Sequence, residues 1–187
     1  MNPPPEITAS DIIEAITAAT HDVFSTMLGL QIEPRGGATE DDSPAAPTSG
    51  LIALIGLAGP WTGTGSVSAS GDFACRMASA LLMAPCDALN ENVLDAIGEI
   101  ANMVIGNVKT SLEDKVGPMG LSTPTVIYGH DFQTRSARIH RWTVVPFVCC
   151  SGPVSETLYV QMCLAPNREP GQGNVRAGLQ MPQVLTA

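Results

Sequence analysis

The stretch from Glu91 to Glu113 reads ENVLDAIGEIANMVIGNVKTSLE and predicts one long helix against which the rest of the domain packs. Asn90 can cap its first turn, and Gly117-Pro118 stands just past its end. At about 100° per residue, apolar side chains cover most of its circumference, which predicts a helix buried on most sides. The apolar positions are Leu94, Ile97, Ala101, Val104, Ile105, Val108 and Leu112, with Val93, Ala96, Ile100 and Met103 on a second flank.

A narrow polar stripe remains on this helix. It consists of Asp95, Glu99, Asn102, Gly106 and Lys109, with Glu91 and Glu113 at its ends. Glu99 and Asn102 are three residues apart, so their side chains are expected to be neighbours. Gly106 is expected to leave space for something to approach, whereas Gly98 is explained by close packing of the helix. An acid beside an amide on one rigid exposed strip is where we expect the chemistry of this chain.

Three segments of the chain match a known family. They are GEIANMVIGNVKTSLE at Gly98 to Glu113, Met27-Leu28-Gly29 at the end of an N-terminal helix, and GPWTG at Gly59 to Gly63. Together they resemble the CheX branch of the CheC/CheX/FliY chemotaxis phosphatases, and the resemblance covers residues 8–165. That family hydrolyses the aspartyl phosphate of CheY-type response regulators with a Glu-x-x-Asn motif on a long helix.

The resemblance implies roles for the residues of the stripe. Glu99 would pair with the active-site lysine of the response regulator. Asn102 would position the attacking water, because an amide can both donate to and accept from water without becoming charged. Asp95, Gly106 and Lys109 are expected to contact this partner. The chain would need no cofactor of its own, since Mg²⁺ comes with the phosphorylated regulator, and the resemblance further implies a homodimer formed, as in CheX, through its strands.

Composition excludes several classes of function. The formal net charge is −9 and no stripe of basic residues exists, which argues against binding of nucleic acid. The start, MNPPPEITAS, lacks the pattern of a signal peptide, and no run of 18 apolar residues predicts a membrane span. Five cysteines, an odd number without CxxC spacing, are typical of buried free thiols in a reducing cytoplasm. A cytoplasmic protein without membrane contact is therefore expected.

The order of patterns predicts one domain at residues 8–165, between a disordered arm at 1–7 and a disordered tail at 166–187. Ser10 is expected to cap a first helix that runs from Asp11 to about Leu28 and is ended by Gly29. Residues 34–49 predict an exposed loop, including the acidic run Glu40-Asp41-Asp42. Further helical spacing appears at 72–83, and strands are predicted at 30–33, 50–58, 63–70, 125–128, 141–150 and 156–164.

This order contains two degenerate half-repeats, at about 11–70 and 91–164, with the helix at 72–83 between them. Each half reads helix, short strand and two longer strands joined by a Gly-Pro turn, at Gly59-Pro60 and at Gly152-Pro153. Aligning the two helices places Ala18 and His21 of the first half over Glu99 and Asn102, so only the second half keeps the pair. The pattern predicts an α/β (α+β) fold with a mostly antiparallel sheet and helices on one or both faces. The resemblance implies the same fold with a pseudo-twofold axis.

Three functions are compatible with these patterns. The first is a phosphatase acting on a phosphorylated response regulator. The second is a non-catalytic module that binds a response regulator, or a scaffold, through the same helix. The third is an α/β domain that binds a small molecule, although no nucleotide-binding motif supports it. His21, His130 and His140 share no ligand spacing, so no metal site is expected.

Overall fold

The computed structural model describes residues 7–41, 49–130, 141–150 and 155–167. Several of the sequence predictions fall on residues outside these ranges. They include the predicted arm apart from Ile7, residues 42–48 of the predicted loop, the tail from residue 168 onward, and the second Gly-Pro turn, Gly152-Pro153.

Within the described ranges the chain forms three α-helices and eight β-strands. The helices are α1 (Ala9–Val23), α2 (Gly71–Leu82) and α3 (Glu91–Val116). The strands are β1 (Ile32–Pro34), β2 (Thr39–Asp41), β3 (Ser49–Ala58), β4 (Trp61–Ala69), β5 (Gly120–Leu121), β6 (Thr125–His130), β7 (Trp142–Cys149) and β8 (Glu156–Pro166).

The first helix begins with a capping box at Thr8, so the prediction that Ser10 caps this helix is wrong. The backbone N–H of Asp11 donates to Thr8 Oγ1 at 3.2 Å, and the N–H of Thr8 donates to Asp11 Oδ2 at 3.0 Å. Ser10 already lies inside the helix and is not the cap. A reciprocal box requires an acceptor side chain three residues after the cap, which Thr8 has in Asp11 and Ser10 lacks in Ile13.

Most predicted elements are found within a few residues of their expected bounds. The first helix continues beyond α1 as one π-helical turn, Phe24–Leu28, and ends at Gly29 with φ of 62°. The prediction of an exposed loop at 34–49 is wrong at Thr39–Asp41, which forms β2, and β5 was not predicted at all. Both are very short strands whose pairing depends on a distant partner, so the local pattern carries little signal.

The sheet is antiparallel throughout and runs in the order β1-β7-β8-β4-β3-β5, with β2 also paired to β7 and β6 to β3. The two strands that end the half-repeats, β4 and β8, pair at its centre. The short strands are exchanged: β1 and β2 pair with β7 of the second half, whereas β5 and β6 pair with β3 of the first. Asp11 of α1 and Lys115 of α3 form an ion pair of 2.6 Å, so the two helices run antiparallel. This arrangement confirms the predicted pseudo-twofold α/β fold.

The helices of the described residues share one face of the sheet. Their apolar sides form a single core with the alternate side chains of the four long strands, and this core is aliphatic apart from Phe24, Phe73 and Phe147. Ile105 of α3 packs directly on Gly65 of β4, where a Cβ would lie 2.8 Å from it. On the opposite face a smaller cluster contains Trp142, Val144 and Cys163. The sequence analysis had left open whether helices cover one face or both, and the answer for the described part of the chain is one.

None of the five cysteines, all of which lie in described ranges, forms a disulfide. Cys149 and Cys163 are buried, and Cys75 and Cys86 are half-buried, but Cys150 is exposed, so the prediction of buried thiols is wrong at that position. Among the described residues, no helix is both long enough and apolar enough to cross a bilayer.

Candidate functional site

The helix that carries the candidate site is capped as its sequence predicts. The backbone N–H of Val93 donates to Asn90 Oδ1 at 3.1 Å, and α3 then runs unbroken for 26 residues. Gly117, with φ of 82°, ends it. Eleven of its side chains or glycines are buried, which leaves one polar strip in contact with solvent.

The two predicted catalytic residues stand side by side on that strip. Glu99 is exposed and Asn102 is half-buried, on adjacent turns of the same face, with the exposed Asp95 one turn before Glu99. In the part of the chain that the structure describes, neither the Glu99 carboxylate nor the Asn102 amide takes part in a hydrogen bond or ion pair. The pair is therefore held on a rigid element while its polar atoms stay available.

Lys109 lies on the same strip but is engaged within the protein. Its Nζ donates to Glu113 Oε1 at 2.8 Å, and the backbone N–H of Met119 donates to the same oxygen, also at 2.8 Å. The hydrogen bond from Lys109, followed by that from Met119, lowers the pKa of the Glu113 carboxyl below its usual value. Glu113 thus ties the segment after α3 to the helix. This role of Glu113 was not predicted, although a lysine and an acid four residues apart on a helix indicate such an ion pair.

The two glycines of α3 differ in burial, since Gly98 is buried and Gly106 is half-buried. A Cβ at Gly98 would lie 3.6 Å from Pro124 Cβ and 3.7 Å from Val126 Cγ2, which are ordinary contact distances. Close packing therefore does not require glycine there, and that expectation is wrong. A Cβ at Gly106 would meet only Leu121 Cδ1, at 3.7 Å, so a methyl group would fit at this point.

A groove lies along α1 in the predicted first half-repeat. In the predicted alignment of the two helices, Glu14, Ala18 and His21 lie over Asp95, Glu99 and Asn102, and all three are exposed. They line a groove of about 450 Å³ whose floor includes Ile32 and Phe147. Because Ala18 and His21 replace the acid and the amide, this groove lacks the Glu-x-x-Asn pair that α3 presents.

No group of three or more His, Cys, Asp or Glu side chains is placed to hold a metal ion within residues 7–41, 49–130, 141–150 and 155–167. His21 lies on α1. His130 is the last residue of β6, which lies at the opposite edge of the sheet from β1. His140 lies outside the described residues.

Comparison with known proteins gives consistent matches. The family model described as "Chemotaxis phosphatase CheX" matches residues 51–148, just over half of the chain. A relative, the CheY-P phosphatase CheX of Thermotoga maritima, is 29% identical over 126 residues, which are 67% of this chain and 80% of the relative. The matched family segment contains all of α3 and therefore both Glu99 and Asn102.

Solved structures share the fold. The chemotaxis protein CheX of Desulfovibrio desulfuricans has a TM-score of 0.69 at 25% identity, covering 83% of this chain and 99% of its own. The CheX–CheY–BeF3–Mg²⁺ complex of Borrelia burgdorferi gives a TM-score of 0.66 at 22% identity, covering 82% of this chain and 97% of the chain it matches. With the sequence match over residues 51–148 and this shared architecture, the chain belongs to the CheX family of chemotaxis phosphatases.

Proposed function

We propose that this protein accelerates hydrolysis of the aspartyl phosphate on a CheY-like response regulator, with Glu99 and Asn102 of α3 as the residues that act on it. The observation that carries the proposal is that this acid and this amide are adjacent on a stiff, exposed strip with no partner among the described residues. Family membership and the CheY-P phosphatase activity named for the Thermotoga maritima relative support the same reaction.

The phosphatase has only to position the reacting groups, because the aspartyl phosphate is already labile. Water attacks the phosphorus, and the bond from phosphorus to the aspartyl oxygen breaks. The products are inorganic phosphate and the free aspartate carboxylate of the regulator. The Asn102 amide would hold that water in line, as the glutamine of small GTPases does. Glu99 would pair with the regulator's active-site lysine and fix how α3 enters the cleft. Mg²⁺ would come with the regulator, as the Borrelia burgdorferi complex of CheX, CheY, BeF3 and Mg²⁺ supports.

Partner contacts would extend along the strip. Asp95 is exposed one turn before Glu99, and Gly106 leaves room one turn after Asn102. Lys109 would meet the partner at the far end, and its ion pair with Glu113 gives it a fixed position. The acids Glu91 and Asp95 disfavour a phosphoryl dianion on their own part of the strip. They therefore favour insertion with the phosphate near Asn102.

A homodimer formed through strand edges is part of the same proposal. Of the two sheet edges, β1 carries the exposed acid Glu33, which would meet a like charge in a second copy. Strand β6, TVIYGH, carries no acid, and Ile127 and Tyr128 expose 37% and 59% of their surfaces. An uncharged edge with exposed apolar side chains is the one that can pair with another copy. The five cysteines without a disulfide support a cytoplasmic location.

The test is the decay of a phosphorylated CheY-type regulator in the presence of Mg²⁺. The wild-type protein should speed the decay. Asn102→Ala should lower the catalysed rate by on the order of 10²-fold, because water positioning is lost, while binding changes little. Glu99→Gln, which keeps the shape and removes the charge, should weaken both binding and rate. The matched control is His21→Ala, at the equivalent position of α1, which should leave the rate unchanged.

A non-catalytic binding module is the alternative, and the acids around the site are the observation that favours it. In that case the wild-type protein would bind the regulator tightly and leave its decay unchanged. Equal rates for the wild-type protein and Asn102→Ala, with both folded, would reject the assignment of Asn102.

A further inference from the structure

Beside α3, the chain between β5 and β6 contains one residue more than a regular ladder with β3 would need. Leu121 of β5 pairs with Leu57 of β3, and Thr125 of β6 pairs with Leu54. Residues 122–124 therefore stand opposite only two residues of β3, which makes this segment a β-bulge. Bulges of this kind bend a strand and re-aim its side chains, and they are over-represented next to active sites.

Both ends of the bulge contact α3. A Cβ at Gly106 would lie 3.7 Å from Leu121 Cδ1, and a Cβ at Gly98 would lie 3.6 Å from Pro124 Cβ. Leu121 and Pro124 are three residues apart, so in a regular strand their side chains would point to opposite faces of the sheet. The extra residue brings both to the face that α3 covers. Residues 122 and 123 therefore lie between two points of contact with this helix.

Asn102 of α3 lies opposite the middle of the bulge. It follows Gly98 by four residues and precedes Gly106 by four, so it is about 6 Å along the helix axis from each. Its side chain also points between the directions of the two glycines, at about 40° from either. This position accounts for the half-buried state of Asn102. Ser122 and Thr123 are consequently the bulge residues that face it.

Ser122 fixes the bulge to the sheet. Its backbone N–H donates to the carbonyl of Gly56 on β3 at 2.9 Å, and its Oγ accepts from the Gly56 N–H, also at 2.9 Å. The same hydroxyl donates to the carbonyl of Thr123 at 3.0 Å. Because a hydroxyl has one proton to donate, Ser122 serves the local structure and holds its neighbour in place.

Thr123 is left with an uncommitted hydroxyl. Its side chain is exposed, and the hydroxyl takes part in no hydrogen bond with the residues that the structure describes. The bonds of Ser122 on one side and the contact of Pro124 with α3 on the other fix its position. A second neutral polar group is therefore held rigidly beside the Asn102 amide.

Two such groups can do what one cannot. A water molecule attacks phosphorus with a lone pair, so both of its O–H bonds must be directed away from the phosphoryl group. The Asn102 carbonyl oxygen can accept one of these bonds, and the Thr123 hydroxyl oxygen can accept the other. Both groups are uncharged and do not repel the phosphoryl oxygens. The water oxygen bonds to phosphorus, the bond from phosphorus to the aspartyl oxygen breaks, and both water protons remain on the inorganic phosphate.

We propose that the Thr123 hydroxyl holds the attacking water together with the Asn102 amide and is a further catalytic residue of this protein. The inference rests on the proposed function, since it concerns the water of that reaction. It is compatible with a second copy on β6. The ladder of β6 begins at Thr125, and Pro124 has no N–H to offer an added strand, so such a strand would stop before Thr123.

The experiment is a double-mutant cycle in the decay assay of the phosphorylated regulator with Mg²⁺. Thr123→Val keeps the shape of the side chain and removes the hydroxyl. It should lower kcat by about threefold to tenfold, as expected for one neutral hydrogen bond, and leave Kd for the beryllofluoride-loaded regulator unchanged. Thr123→Ser keeps the hydroxyl and should retain kcat. In the Asn102→Ala background, Thr123→Val should cause no further loss, because the water is already released. The matched control is Thr39→Val, an exposed threonine of β2 near the opposite edge of the sheet, which should behave as the wild-type protein.

Every other result rejects the proposal. Equal kcat for the wild-type protein and Thr123→Val would mean that the hydroxyl is not used. An equal loss in Thr123→Ser would show that shape matters instead. A raised Kd with unchanged kcat would make Thr123 a contact of the regulator and not of the water. Losses that multiply in the double variant would show two separate roles.

The wild-type protein and Asn102→Ala test the proposed function separately. If the wild-type protein does not speed the decay, both proposals fail. If it does, and Asn102→Ala is impaired while Thr123→Val is not, only the role of Thr123 is rejected.

Discussion

Replacing Gly106 by alanine should stabilise the fold and impair the proposed function at once. Glycine inside a helix is less favourable than alanine by about 0.5–1 kcal/mol. The new methyl group would lie 3.7 Å from Leu121 Cδ1, an ordinary contact distance, so no strain offsets that gain. For a chain of this size, about 1 kcal/mol raises Tm by roughly 2–4 °C. Thermal and urea unfolding of Gly106→Ala should therefore show a rise in Tm of about 1–4 °C.

The phosphatase assay should show the opposite effect. Gly106 lies one turn after Asn102 on the open strip, so a methyl group there would stand between α3 and the regulator. A displacement of about 1 Å at a reacting centre can lower a rate by about 10²-fold, and we expect kcat/KM to fall at least tenfold.

Gly98→Ala is the matched control. Its methyl group would lie 3.6 Å from Pro124 and face β6 instead of the strip. It should give a similar gain in stability and leave the rate unchanged. A loss of stability in Gly106→Ala would refute the geometry of the Leu121 contact, and an unchanged kcat/KM would refute partner approach at this position.

Three further predictions follow from the fold. Thr8→Ala should lower the free energy of unfolding by about 1 kcal/mol in urea titrations, whereas Ser10→Ala should have little effect. Hydrogen bonds from Lys115 and then from Thr8 lower the pKa of Asp11 to about 2 from 3.8, so its contribution to stability is present above pH 4 and is lost as the pH falls toward 2. Asp11→Asn should therefore be less stable than the wild-type protein at pH 6 and equal to it below pH 2 in thermal unfolding. Burial raises the pKa of the Cys163 thiol to about 11, so Cys163 should resist alkylation at pH 8 while Cys150 reacts, as peptide mass spectrometry can show.

Each of these three has a clear contrary result. Equal losses for the two cap variants would mean that no single residue caps α1. A stability difference for Asp11→Asn that persists at pH 2 would show that the carboxylate does not act through its charge. Rapid alkylation of Cys163 in the folded protein would show that the sheet opens at β8.

The site was more predictable from sequence than the sheet. Asn90, the 3.6-residue period and Gly117 are local signals, and together they defined α3 and its exposed strip. The positions of Glu99 and Asn102 follow directly from that period. The expectation that close packing requires glycine at position 98 was wrong, because the sequence does not show how far the neighbouring side chains lie from that position.

Strand pairing could not be read in the same way. The partner of β1 is β7, more than a hundred residues along the chain, and nothing in Ile32–Pro34 indicates it. Two hydroxyl residues near the start of α1 could each have been its cap, and only the reciprocal bond from Asp11 decides for Thr8. Contacts between distant segments determine such features, and one sequence does not show them.

The exchange of short strands has a consequence for how such a domain could arise. Strand β7 is completed by β1 and β2 of the other half, and β3 by β5 and β6. A polypeptide with one half alone would keep the pair of long strands, but each of them would lack the neighbour on its other side. If the two predicted halves are repeats, two copies of one half would fill those places for each other, as an intertwined pair of identical short chains. Their fusion would free one helix to lose the acid and the amide while the other kept them.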